Sequence, residues 1–238
     1  MSFNRDIQLD PNRVQTRSGG GRGAVIGGGS ILTVIAVVLI SQLTGVDLTS
    51  MLGAQQQTGT TTSTASSIDT SVCTSGDSAN KYTQCRMVAT AESLDAVWTE
   101  QLPAQAGLKY AKPEFVLWDG SQISSACGNA SSAVGPFYCS GDQTVYLDMS
   151  FFSEMERSLG ATDTPLAEEY IVAHEFGHHI QHLTGQMAKA DRSGSGATSD
   201  SVRLELQEDC YAGIWVNHAS STPDPDTGKP FLNRPSSE

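Results

Sequence analysis

Residues 170–185, YIVAHEFGHHIQHLTG, hold four of the chain's five histidines, and no other stretch restricts the possible folds as tightly. The residues around them predict a helix over 165–184. Thr164 suits the N-cap and Pro165 the first helical position. Glu168 and Glu169 fall in the positively polarised first turn, and Gly185 supplies the stop. On such a helix His174 and His178 project from one face, about 6 Å apart. The flanking Ile171, Val172, Ala173, Phe176, Gly177 and Ile180 are uncharged, as in a buried helix. Glycine inside a helix costs about 1 kcal/mol relative to alanine, so Gly177 marks a place where something approaches closely.

The spacing lets two imidazole nitrogens reach one ion at about 2.1 Å each. Glu175, rotated by about 100°, stands beside such an ion rather than on it, where it can take a proton from a metal-bound water. This is the H-E-x-x-H arrangement of zinc peptidases. A third protein ligand is needed. His182 lies eight residues from His174, about 12 Å along the axis, too far to share the ion. A longer pattern with a third histidine fails, because Gln181 and Thr184 occupy its positions. A second helix is predicted over SVRLELQEDCYAGIWVNHA, and it carries Glu205 and Asp209 four residues apart on one face. Glu205 is the candidate third ligand, and Asp209 the carboxylate that accepts the free N–H of a ligand histidine. Glu208 competes for the ligand role but has no carboxylate one turn later. The bland alternative is a solvated acidic face.

Residues 24–46, AVIGGGSILTVIAVVLISQLTGV, carry no charge over 23 positions. At about 1.5 Å per residue they span a hydrocarbon core of about 30 Å, and their length favours a retained anchor over a cleaved leader. Before them, Arg5, Arg13, Arg17 and Arg22 outweigh Asp6 and Asp10, and the remainder of the chain is strongly acidic. The positive flank is expected in the cytoplasm and the acidic body outside it. Clustered Lys and Arg are missing, which argues against nucleic acid. Residues 1–23 read as a disordered tail and 47–69 as a Ser/Thr/Gln-rich linker, so the folded domain is expected over 70–238.

All five cysteines follow the anchor, in keeping with an exported body. Cys73, Cys85, Cys127 and Cys139 allow three connectivities, of which nearest-neighbour pairing is the simplest. Cys210, in an apolar helical context, is expected to be buried and inert. Further along the body, a helix is expected over about 90–102, ending before Pro103. PEFVLWDG reads as a strand, SSACGNASSAVGPFYCSGD as a loop, and QTVYLDMSFF as a second strand. A short helix follows over 151–159.

The blocks CGNASSAVGPFYCSGDQTVYLDMSFF, YIVAHEFGHHIQHLTG and RLELQEDCYAGIWVN, in that order, resemble the bacterial putative neutral zinc metallopeptidase family over about residues 70–232. The resemblance implies an α+β, zincin-like domain: an active-site helix, a second ligand helix and a small sheet, after a single N-terminal transmembrane helix. It further implies one Zn2+ per chain on His174, His178 and Glu205, Glu175 as the catalytic residue, and a Cys127–Cys139 disulfide. Members of the family usually continue past DPDTGKPF with another helical segment, so a C-terminally truncated domain is expected. The expected function is that of a membrane-anchored zinc endopeptidase acting on a peptide or protein substrate outside the cytoplasm. The strand TVYLD is the candidate edge for a bound peptide, and Tyr138, Tyr146, His179 and His182 are candidate oxyanion donors. The alternative is a catalytically inactive, peptidase-like binding module on the same side of the membrane.

Overall fold

The computed structural model describes residues 2–19, 68–120, 122–159, 164–191 and 193–234. The expected membrane segment 24–46 and residues 47–67 of the expected linker lie outside them. Among the described residues no helix is long and apolar enough to cross a membrane. The fold is α+β. In chain order its elements are β1 (Gln15–Gly19), α1 (Gly76–Lys81), α2 (Thr83–Ala106), β2 (Glu114–Gly120), β3 (Gln122–Ser125), β4 (Gly128–Ser131), β5 (Phe137–Cys139) and β6 (Thr144–Asp148). There follow α3 (Phe151–Leu159), α4 (Pro165–Leu183), α5 (Gln186–Lys189) and α6 (Asp200–Ala219).

A four-stranded sheet in the order β1-β2-β6-β5 carries the helices on one face. Its pleat sends Phe115, Leu117, Val145 and Leu147 into the core shared with α2, α4 and α6. Val116, Trp118 and Tyr146 point the other way, where Ile123 and Ala130 of the β3–β4 hairpin cover them. Both faces are therefore dry, and all five residues of β6 are buried. Phe176 of α4 meets Phe115 edge-on at 6.0 Å between ring centres, and Trp215 of α6 donates its indole N–H to Ser93 of α2 at 3.1 Å.

The structure corrects several expectations. Residues 2–19 are part of the body rather than a disordered tail. Phe3, Ile7, Leu9 and Val14 are buried, and β1 pairs in parallel with β2 from Gln15↔Val116 to Gly19↔Gly120. The guanidinium of Arg13 donates to both oxygens of Asp95 at 2.6 and 3.2 Å. The folded domain therefore includes a segment before residue 24 as well as residues 68–234. Phe231 and Leu232 of the Pro-rich tail are buried too, and Leu232 bridges to Phe3.

The helix expected over 90–102 runs from Thr83 through Pro103 to Ala106, where Gly107 closes it at φ 67°. A proline so close to the C-terminal end interrupts little of the helix, and burial of Val88, Leu94, Val97 and Trp98 holds the rest. The Gly/Ser-rich stretch, expected as a loop, contains the end of β3 and all of β4 and β5. TVYLD is no edge: β6 pairs with β2 on one side and β5 on the other, which leaves β5 as the outer strand. Cys210 is exposed. The buried face of α6 carries Glu205, Glu208, Ala212, Trp215 and Ala219, and a residue two positions after Glu208 points about 200° away from it. Cys73–Cys85 and Cys127–Cys139 are both formed. Each closes a 12-residue separation, for which loss of unfolded-chain entropy gives about 3 kcal/mol.

Candidate metal centre

Two helices build the site. α4 starts as its sequence demands, with the Thr164 hydroxyl accepting from the Ala167 N–H at 3.2 Å and Pro165 in the first turn. It crosses α6 at Gly177. A Cβ built there would lie 3.0 Å from Cβ and 3.1 Å from Cα of Glu208, so a side chain at this position would have to push α6 back by a few tenths of an ångström. That approach carries the acidic face of α6 onto the histidine face of α4.

His174, His178, Glu205 and Glu208 each offer a ligand atom, and all four atoms lie within 4.8 Å of one another. His174 Nε2 is 3.4 Å from Glu205 and 3.7 Å from Glu208, and Nδ1 of His178 abuts Glu208. On its other side His174 Nδ1 sits 3.1 Å from Asp209 Oδ1. A carboxylate only accepts, so Nδ1 carries the proton and, in the neutral ring, Nε2 turns its lone pair to the cluster. Tyr170, one turn before His174, donates its hydroxyl to the same Asp209 oxygen. Glu175 is 7% exposed beside the cluster.

The donor set fits a divalent cation. Glu175, Glu205, Glu208 and the Nδ1 of His178 all present buried polar atoms with no hydrogen-bond partner. Such atoms are costly in a dry interior, and a cation of charge two satisfies several together. The electrostatics agree. Burial, then the neighbouring Glu205, pushes the Glu208 carboxyl up to about 10. Burial also raises Glu175 against the pull of His178 and His174, and it depresses His178. At His174 burial opposes protonation, but hydrogen bonds to Asp209 and Glu205 outweigh it and hold its pKa well above the ordinary value. Asp209 is lowered by its hydrogen bond to His174.

The remaining histidines play other parts. His179 donates from Nε2 to the Ala111 carbonyl at 2.6 Å, so its Nδ1 accepts from the Tyr138 hydroxyl at 3.0 Å. Burial lowers its pKa to about 4. It is a buried neutral brace between α4, β5 and the segment before β2. Tyr146 donates to Asp142 and packs on the far face of the sheet, away from the cluster. His182 lies at the β5 end of α4, stacked against His179 and close to Tyr138. The sequence did not single out Tyr170, nor the inclusion of Glu208 with Glu205. Spacing held a signal for both: Tyr170 stands four residues before His174, and Glu208 three after Glu205.

Fold and site together define an α+β domain with a buried two-histidine, two-glutamate cluster. Residues 6–226 match the family model of the putative neutral zinc metallopeptidases, and the chain belongs to that family. Among curated proteins it is similar to the uncharacterized protein Rv2575 of Mycobacterium tuberculosis, 45% identical over 192 residues, covering 81% of this chain and 63% of the relative. It is also similar to the uncharacterized protein YpfJ of Escherichia coli K12, 38% identical over 196 residues, covering 79% of this chain and 62% of YpfJ. The chain thus spans less than two thirds of the length of either relative. No solved structure matches it.

Proposed function

We propose that the chain is a zinc-dependent peptidase whose ion is held by His174, His178 and Glu205, with Glu175 as general base. The observation that carries this is the convergence of two imidazoles and two carboxylates, several of whose buried polar atoms lack hydrogen-bond partners outside the cluster, with Glu175 alongside. Zinc bound there supplies Lewis acidity toward a peptide carbonyl and lowers the pKa of a water to about 7. Glu175 takes the proton of the attacking water and passes it to the leaving amine. Burial raises its pKa above the ordinary carboxylate value, the direction that makes it a better proton acceptor. Asp209, by accepting from Nδ1, keeps His174 in the tautomer and orientation the ion needs.

The open edge of the sheet beside α4 is β5, and an extended peptide can add to it as a further strand. Of the four candidate oxyanion donors, His182 stands close to that edge, while Tyr138 donates to His179, and His179 and Tyr146 are committed elsewhere. Two disulfides support an oxidising compartment for the body. Because residues 2–19 pack into that body, we propose the same compartment for them. Attachment to a membrane through residues 24–46 is proposed on their uncharged sequence alone.

The test is Glu175→Gln in the full chain. Zinc content should stay near one per chain while cleavage of a diverse peptide library falls at least about a hundredfold. Cleavage retained at the wild-type rate would remove Glu175 from the mechanism. A wild-type chain that takes up zinc and cuts nothing would favour the binding-module alternative.

A further inference from the structure

We infer that Glu208 is a fourth protein ligand, so that the resting metal site is closed and a water enters only when this carboxylate gives way. The inference rests on the zinc reading above. A tetrahedral ion with ligands at about 2.1 Å places neighbouring ligand atoms about 3.4 Å apart. His174 Nε2 stands 3.4 Å from Glu205 Oε2 and 3.7 Å from Glu208 Oε2, so the two carboxylates present themselves almost equally. Glu208 is fully buried, its Oε1 lies against His178 Nδ1, and no group outside the cluster hydrogen-bonds either of its oxygens.

Packing directs its stem toward the histidines at rest. Cβ and Cγ of Glu208 lie 3.0 and 3.1 Å from where a Gly177 side chain would begin, so its stem runs across the glycine toward His178. A catalytic zinc ion ordinarily has three protein ligands and leaves the fourth position to water, whereas four protein ligands mark a closed site. Glu208 occupies that fourth position here. It is a positioning residue for the reaction: it shields the ion at rest and must swing aside to admit water and substrate.

The experiment measures zinc affinity by chelator competition on the full chain, with Glu208→Ala, the isosteric Glu208→Gln and Glu205→Ala. It adds the visible spectrum of the cobalt-loaded forms titrated with acetohydroxamate. The expected result is a tenfold or greater loss of zinc affinity in both Glu208 variants. Acetohydroxamate should then perturb the cobalt spectrum of Glu208→Ala at a concentration at least tenfold lower than in wild type. Unchanged affinity in both Glu208 variants, with loss in Glu205→Ala, would overturn the fourth ligand and leave the three-ligand peptidase standing. Affinity lost in Glu208→Ala but intact in Glu208→Gln would also overturn it, since shape rather than charge would then matter. Absence of zinc from the wild-type chain would overturn the metal centre itself, and the fourth ligand with it.

Discussion

At the scale of the residue, the orientation of one imidazole rests on a carboxylate from another helix. Asp209 holds His174 at 3.1 Å, and Tyr170 fixes Asp209. Replacing Asp209 by Ala removes the acceptor and frees the ring to turn, and zinc affinity, measured against a chelator, should fall about 10- to 100-fold. His179 gives a prediction of opposite character. Its folded-state pKa of about 4 lies below the ordinary value of 6.5. Between those values the unfolded chain binds a proton that the folded chain refuses. Stability is therefore fully present above about pH 6.5 and is lost as pH falls toward 4, by at most about 3–4 kcal/mol at 1.36 kcal/mol per unit. Urea unfolding of the metal-free protein across that window should show this slope, and His179→Gln should flatten it. That Asp209 would serve a ligand histidine was legible because both spacings are local to a helix, whereas the choice of His174 was made by the packing of the two helices. The Tyr138–His179 contact was not, because it joins β5 to α4 across 41 positions of sequence.

At the scale of the element, the two long helices that carry the cluster were readable from caps, period and stops. Thr164, Pro165 and Gly185 delimit α4 by local chemistry that packing did not override. The strands near the Cys127–Cys139 disulfide were hidden by small residues. β3 and β4 need bury only Ile123 and Ala130 against the sheet, so their apolar alternation is weak. Gly177 joins both lessons. Its helix-weakening character flagged a close approach, and the structure shows the backbone of Glu208 as the neighbour. Gly177→Ala should gain about 1 kcal/mol of helix propensity yet lose more through overpacking, which costs about 1–3 kcal/mol. Part of what the new Cβ meets is the Cα of Glu208, which cannot turn away as a side-chain tip can. The expected outcome is a lower urea midpoint together with weaker zinc binding, as α6 is lifted from α4. A variant as stable as wild type would show that the helices part without cost.

At the scale of the whole molecule, the uncharged run at 24–46 divides the sequence, but the fold joins what lies on either side. Arg13, buried against Asp95, and the parallel pairing of β1 with β2 tie residues 2–19 to the same core that holds the cluster. A chain crossing a membrane once between them would separate these partners. The proposed shared compartment therefore predicts that a Thr16→Cys thiol, on the exposed face of β1, reacts with an impermeant maleimide from the same side as the exposed native Cys210. Labelling from opposite sides would show that β1 leaves the sheet in the membrane-associated protein.

The sequence by itself determined the two helices that carry the cluster, the one-face placement of His174 and His178, and the paired carboxylates of the second helix, because these depend on helical period and local capping. The resemblance added the family. Only the tertiary structure decided that Glu208 joins Glu205 at the histidines, that β5 rather than β6 is the open edge, and that residues 2–19 complete the body. Each of these depends on contacts between segments distant in the chain. Burial and close backbone approach select such contacts, and local composition leaves little trace of them.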